Sequence, residues 1–531
     1  MSTHAASRVR LSSGVVAAAI LAVVYLILEP STVDLAAQTF RADLFDANGF
    51  LLWNNYWYAG HYLLTYSVLF PPLGAWLGPR LVGAIAVVAC AALFAAIAYR
   101  RYEDRAWLGI LWFGAATATM LMANRLTFAL GTAIGLGALL AAQRGRAALA
   151  TALAALSGLG SPVAAVFVAI AGGALAVTGR RRLGAFLAVG ALAPIALLGL
   201  AFPTGGYFPF VFTAFLPVPL FAAAAFILLP PEERVLRAGI LIYAGVCVVL
   251  FIVHTQVGAN AARLGSLFGG PVLALGLAGR RPVALVILAL PLLWWQWVAP
   301  VRDFAAGQND PSVTAGYYQP LIDELDQVTQ GKPVRIEVPP TRNRYEANYV
   351  APHFPLARGW LRQSESGDFD LFTGDNLTAD SYLAWLQERG VSYVALADAD
   401  PDYLAQDEGD LIRGGLPYYL RPVWSNDHWH LYRVRGAVGL VSTIGEPSEP
   451  APGADRLTSV GAADFGFSAR DTGTYLLRIH YTPYWTVTAG DACVQRDGDW
   501  TRLDVRSAGA VDVAARFSLA GLFRRDSECS G

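Results

Sequence analysis

The run Val33-Asp34-Leu-Ala-Ala-Gln-Thr-Phe-Arg41-Ala-Asp43-Leu-Phe-Asp46 decides how this chain is read. It continues through Leu52-Trp53-Asn-Asn-Tyr56-Trp57-Tyr58-Ala-Gly-His61 to Tyr66-Ser-Val-Leu-Phe-Pro-Pro-Leu73. The stretch follows the first apolar span directly and holds three carboxylates, a guanidinium, an imidazole and a dense aromatic group. Acids and aromatics gathered beside an apolar span mark a place for chemistry at a membrane surface. The rest of the chain either holds this stretch against a bilayer or covers it.

The 531 residues are 55% hydrophobic, but that figure averages two regions. Up to about residue 300 the chain is a series of apolar runs; beyond it the composition is that of an ordinary water-exposed fold. A helix needs about 20 apolar residues to cross a bilayer, and helices and closed barrels are the backbones that satisfy their own polar groups in lipid. The runs are unbroken rather than alternating, which favours helices over barrel strands. A net charge of −1 argues against nucleic acid as a partner. Lys332 is the only lysine among 39 cations, as expected of a high-GC bacterial genome.

About eleven spans are expected, near 13–30, 81–99, 106–123, 126–142, 147–159, 162–178, 184–203, 209–229, 237–254, 264–279 and 282–299. The first is read as an uncleaved span rather than a leader. Arg8 and Arg10, Arg100, Arg101 and Arg105, Arg144 and Arg146, Arg180 to Arg182, Arg234 and Arg237, and Arg280 and Arg281 fall at one set of ends. Cations in short loops stay cytoplasmic, so the N-terminus is expected inside and everything after residue 300 outside. The sparse polar groups at the opposite ends then share one face: Asp34, Arg41, Asp43, Asp46, His61, Asn124, Arg125, His254, Asn260 and Arg263. Arg125 and Arg263 depart from the cation bias, each at the mouth of an apolar span. An ionisable group at membrane depth is costly and points to function; the competing reading is an arginine that snorkels to the headgroups.

This layout resembles the GT-C fold glycosyltransferases: a first span, an outer loop opening with Asp, an aromatic Tyr66-to-Leu73 stretch ending in Pro-Pro-Leu, many further spans, and an outer C-terminal domain. Asp34 matches the position of that family's essential loop aspartate. The tail from about residue 312 resembles domains attached to actinobacterial membrane proteins of this class. The resemblance implies an integral membrane enzyme that takes a sugar from a polyprenyl-phosphate donor on the outer face of the cell membrane. The acceptor would be an envelope glycan or lipid, and the anomeric centre would invert. No Asp-Asp or Asp-Glu pair stands at the first position, a departure from some members that leaves a divalent metal open but not indicated.

Such a transfer needs a base for the acceptor hydroxyl and cations for the phosphate leaving group. Asp34 is the expected base, with Asp43, nine residues on, expected on a neighbouring side of the same helix; Asp43 or Asp46 is the alternative. Arg125 and Arg263 are the expected phosphate clamps, because guanidinium matches phosphate with two parallel bonds. Arg41, Asp46, His61, Asn124, His254 and Asn260 complete the expected substrate-binding set. Trp53, Tyr56, Trp57 and Tyr58 suit either an interfacial belt or stacking on a sugar ring. Competing roles are a helix cap for Asp34 and solvated loop charges for Asp43 and Asp46. The sequence holds no His-x-x-x-His or Cys-x-x-Cys metal pattern.

Three regions are expected: a GT-C-like membrane domain over 1–300 with its first outer loop at 31–80, an extracytoplasmic α/β domain over 301–436, and a β-sandwich over 437–531. In the second, Arg344, His353, Arg358 and Trp360 lie in a long polar and aromatic loop and are read either as acceptor-binding groups or as ordinary exposed loop. In the third, Cys493 and Cys529 are expected to pair if that region lies outside the cell. The alternatives to an enzyme are a non-catalytic scaffold that binds or hands on a glycolipid, and a transporter.

Overall fold

A computed structural model describes residues 3–373, 376–443 and 456–523, with side chains from residue 12 onward. The chain divides into two compact units. One comprises Met1–Ala47 and Thr65–Gln308, the other Asn48–Leu64 and Asn309–Gly531. The first is helical with several apolar helices; the second is rich in β-sheet.

In the helical unit each expected apolar segment overlaps a helix. Five stretches among the described residues are long and apolar enough to cross a bilayer: Pro79–Met122, Leu126–Gln143, Arg181–Ala201, Arg234–Ile252 and Pro282–Gly307. A sixth is counted if Ser12–Leu28 and Val33–Asn48, bent by 79°, act as one. Ala147–Gly160, Pro162–Val177 and Phe212–Leu228 are apolar but shorter. Proline opens several helices, at Pro79, Pro162, Pro217 and Pro282, where its missing N–H costs nothing.

Small residues let these helices approach backbone to backbone. A Cβ on Gly14 would lie 2.2 Å from the Ile110 carbonyl oxygen, and one on Gly114 would lie 2.1 Å from that of Gly14. This crossing locks Thr3–Leu28 onto Trp107–Ala116. Gly131 sits against Ser161 and Ala164 in the same way. Pro271 leaves the Leu267 carbonyl without its helical donor. Buried Gln296 reaches across to supply one, at 3.2 Å, and a second to Ser266 at 2.9 Å.

The second unit has two parts. In the first, Arg335–Glu337 runs parallel to Val391–Ala397, which pairs antiparallel with Trp429–Val434 and then Leu420–Ser425. Helix Ala379–Glu388 starts at a Thr378/Ser381 capping box and packs Tyr382, Trp385 and Leu386 against this sheet. In the second, two four-stranded antiparallel sheets face each other as a sandwich, with Phe467 of one meeting Tyr475 of the other at 4.8 Å. Cys493 lies on one of these strands; Cys529 lies outside the described residues, and with it the expected pairing.

The aromatic run departs most from expectation. Residues 48–64 belong to the second unit and form a clasp inside it. The Asn55 N–H donates to the Ala462 carbonyl at 2.7 Å, and its side chain donates to the Gly461 and Asp464 carbonyls at 3.0 Å each. Trp57 Nε1 donates to the Ala347 carbonyl at 2.9 Å, and Tyr58 donates to Glu365 at 3.1 Å. Trp53, Trp57 and Tyr58 are buried, Trp57 completely. They are core, neither an interfacial belt nor a sugar platform. His61 is stacked on Trp57 at 5.6 Å in this same core, away from solvent.

Candidate active site

In the helical unit, four helix ends converge on one group of charges. Asp34 is in the first turn of Val33–Asn48, Arg125 caps Leu126–Gln143, Arg263 is second in Ala262–Leu277, and Asp303 is one turn from the end of Pro282–Gly307. Arg125 Nη2 donates to Asp303 at 3.1 Å, while its Nε stands 3.9 Å from Asp34. That Nε is buried and has no hydrogen-bond acceptor. Arg263 lies over the Phe128 ring at 5.8 Å, within electrostatic reach of Arg125, Asp34, Tyr66 and Asp303. Arg41, also buried, lies over the Tyr66 ring at 4.6 Å.

Backbone geometry fixes this arrangement. Asn124 adopts φ 48°, a conformation that Asn tolerates better than most residues. Its amide donates to the Pro30 carbonyl at 2.9 Å and to the Thr32 hydroxyl at 3.1 Å. Its side-chain oxygen accepts from Tyr25, and its carbonyl accepts from Gln38 at 2.6 Å. The turn before Asp34 is thereby tied to the turn before Arg125. Gly307 closes the other side: a Cβ there would lie 1.7 Å from the Ser31 carbonyl oxygen, so the end of the last helix rests on the same turn.

Two guanidiniums, Arg125 and Arg263, thus face two carboxylates, Asp34 and Asp303, with Arg41 behind the Tyr66 ring; exposed Arg302 also reaches Asp303 at 3.8 Å. Three of the four helix ends are N-termini, where the helix dipole favours anions. Cationic surplus and N-termini together suit a phosphate, with a carboxylate beside it to accept a proton.

Asp34, Arg125 and Arg263 are brought together as the sequence places them. Asp43 is not with them. Nine residues make two and a half helical turns, which sets Asp43 on the face opposite Asp34, and both Asp43 and Asp46 are exposed. Asn124 is completely buried with its amide fully engaged, so it positions the site rather than contacting a substrate. His254 is exposed and stacks on Tyr207 at 4.3 Å. Asn260 lies in the 3-10 turn Gly258–Ala261 that leads into Arg263. Asp303 was not foreseen; its signal is an acid one turn inside the end of an apolar helix, after Pro300-Val-Arg302.

In the second unit the expected acceptor groups separate into two kinds. Arg344 and Arg358 are buried inside an ionic network. Arg344 pairs with Glu365 at 2.5 Å and Asp402 at 3.1 Å and donates to the Gly359 carbonyl at 2.7 Å. Arg358 pairs with Glu337 at 2.5 Å and with Glu408, which Tyr382 also contacts at 2.5 Å. These guanidiniums are spent on carboxylates and cannot meet a glycan. His353 is exposed and Trp360 half-buried. Burial pushes the carboxyls of Glu337 and Glu408 up, and Glu346 up to about 7. Asp402, though burial opposes it, is held below the usual range by Arg344 and Arg362. Among the described residues no three His, Cys, Asp or Glu side chains gather as a metal site.

No family model matches the chain, and no curated protein does. Among solved structures, the chain is similar to the Archaeoglobus fulgidus oligosaccharyltransferase in complex with zinc and sulfate. The identity is 14% and the TM-score 0.43, over 80% of this chain and 73% of that one. The apo form of that enzyme gives 13% identity and a TM-score of 0.44, over 75% and 72% of the two chains.

Proposed function

We propose that this protein is a membrane glycosyltransferase that moves a sugar from a polyprenyl-phosphate donor to an envelope glycan or lipid on the outer face of the cell membrane. In this reading the N-terminus is cytoplasmic and the second unit extracytoplasmic. The observation that carries it is the meeting of Asp34 and Asp303 on Arg125, with Arg263 alongside. Arg125 and Arg263 bind the donor phosphate. Asp303 holds Arg125 through Nη2 and leaves its Nε, the donor without an acceptor, for a phosphate oxygen. The acceptor oxygen attacks the anomeric carbon from the side opposite the phosphate. Its proton passes to Asp34, and the bond from sugar to phosphate oxygen breaks as the two guanidiniums take up the charge.

Asp34→Asn, checked for membrane insertion, tests this. The proposal predicts that transfer from the lipid-linked donor falls by a factor of 100 or more, on the order expected for removing a general base. Unchanged transfer rules out Asp34 as the base. One observation favours a second reading: Asp34 already lies 3.9 Å from a guanidinium, where it can hold that side chain in place without taking a proton. A scaffold that binds or hands on a glycolipid would keep lipid-phosphate binding and show no transfer in the wild-type protein.

A further inference from the structure

Where the α/β part and the sandwich of the second unit meet, three arginines gather that the proposed reaction does not use. Arg335 comes from strand Arg335–Glu337, Arg389 from the end of helix Ala379–Glu388, and Arg478 from strand Gly473–His480. Arg335 is 1% exposed. Its Nη1 donates to the Arg389 carbonyl at 2.6 Å, while its Nε is buried without an acceptor. No carboxylate among the described residues pairs with it. Arg389 places Nη2 on both oxygens of Asp368, at 3.1 and 3.2 Å, and its Nε is likewise buried and unpartnered. Arg478 donates to the Ser442 hydroxyl at 3.2 Å. His480 Nδ1 faces the Gly60 carbonyl at 3.0 Å, and its ring lies 5.0 Å from that of Trp500. The other acids in electrostatic reach are Glu388, near Arg478, and Asp499, near His480.

A buried guanidinium without a counter-charge is costly. The partial negative charge at the end of helix Ala379–Glu388 offsets part of that cost for Arg335 through its Nη1, but it supplies no acceptor for the Nε edge. Two such edges, on Arg335 and Arg389, sit among three like charges.

We propose that Arg335 and Arg389, backed by Arg478 and His480, form a binding site for a phosphate-type oxyanion, entered from the side of Arg389 and His480, which stay partly exposed. A tetrahedral anion offers oxygens in several directions, which suits guanidiniums arriving from a strand, a helix end and a second sheet. The anion is either free phosphate or the phosphodiester of an envelope polymer. Burial and the Arg389 and Arg335 charges hold the His480 imidazole down to about 4, so it stands neutral beside the guanidiniums at pH 7.

The test uses purified full-length protein in detergent, melted in inorganic phosphate, in dimethyl phosphate, and in chloride at equal ionic strength. The expected result is a saturable rise in Tm with phosphate that is larger in the wild type than in Arg335→Met, the difference being the contribution of this site. An equal rise with dimethyl phosphate assigns the site to a diester; a rise with inorganic phosphate alone assigns it to the free ion. Any contribution from Arg125 and Arg263 is common to both proteins and cancels in the comparison. Should Arg335→Met fail to fold, Arg389→Met is expected to weaken the phosphate response about tenfold. A wild type that responds to phosphate no more than to chloride, or a variant that responds like the wild type, overturns the site.

Discussion

Asn124 shows how one residue can carry geometry rather than chemistry. A polar side chain beside an arginine at a span mouth looks like a ligand contact, yet every group it offers is taken by Tyr25, Pro30, Thr32 and Gln38. Arg344 and Arg358 make the same point. The residue types that bind sugars also neutralise buried acids, and their partners, Glu365, Asp402, Glu337 and Glu408, lie 21 to 58 positions away. Sequence alone therefore shows the charge without its counter-charge. Glu346, in the same core, has a measurable signature. Its carboxyl, raised to about 7 by burial, contributes stability that is complete below its ordinary value near 4.5 and is lost as pH rises through 7. The loss is expected to reach about 3 kcal/mol. Melting Glu346→Gln alongside the wild type between pH 4.5 and 8 should show the flatter profile in the variant. Parallel profiles would mean that Glu346 does not titrate in this window.

At the scale of elements, more was legible. Proline-led helix starts, the Thr378 cap and the short apolar run Val391–Ala397 after Gly390 are local signals, and local structure follows them. Apolar runs likewise locate helices, because length and hydropathy are written in the run itself. Which helices touch is written more faintly, in glycines. Gly114 meets the Gly14 backbone at a distance that no Cβ can occupy, and backbone cannot yield as a flexible side chain does. Gly114→Val is expected to cost about 3 kcal/mol, the upper end for overpacking, read as a lower melting temperature of the purified protein. Full stability in that variant would show that the two helices do not cross there. Asp34 and Asp43 share a helix but not a face, because two and a half turns reverse it.

For the whole molecule, the division into two units runs through the stretch that began the reading. Val33–Asn48 builds the charged site, while residues 48–64 close the core of the second unit. Sequence could not separate these roles, since the residues that cover the aromatic run lie some 290 to 420 positions further on. Trp57→Ala is expected to cost about 3–5 kcal/mol. It should lower the unfolding midpoint of the second unit and leave that of the helical unit in place; a shift of both together would contradict the division. The proposed orientation is checked on intact cells with a membrane-impermeant thiol reagent. Asp497→Cys, at the exposed end of strand Ala492–Asp497, should label, and Arg144→Cys should not; the reverse pattern inverts the topology.

Asp34, Arg125 and Arg263 are proposed to form one phosphate-centred site, and a structure with polyprenyl phosphate bound tests this most directly. It should place a phosphate oxygen within about 3 Å of Arg125 Nε, the phosphorus between Arg125 and Arg263, and the Asp34 carboxylate on the side from which an acceptor hydroxyl arrives. A phosphate bound elsewhere in the helical unit, with Arg125 still closed onto Asp34 and Asp303, would contradict it.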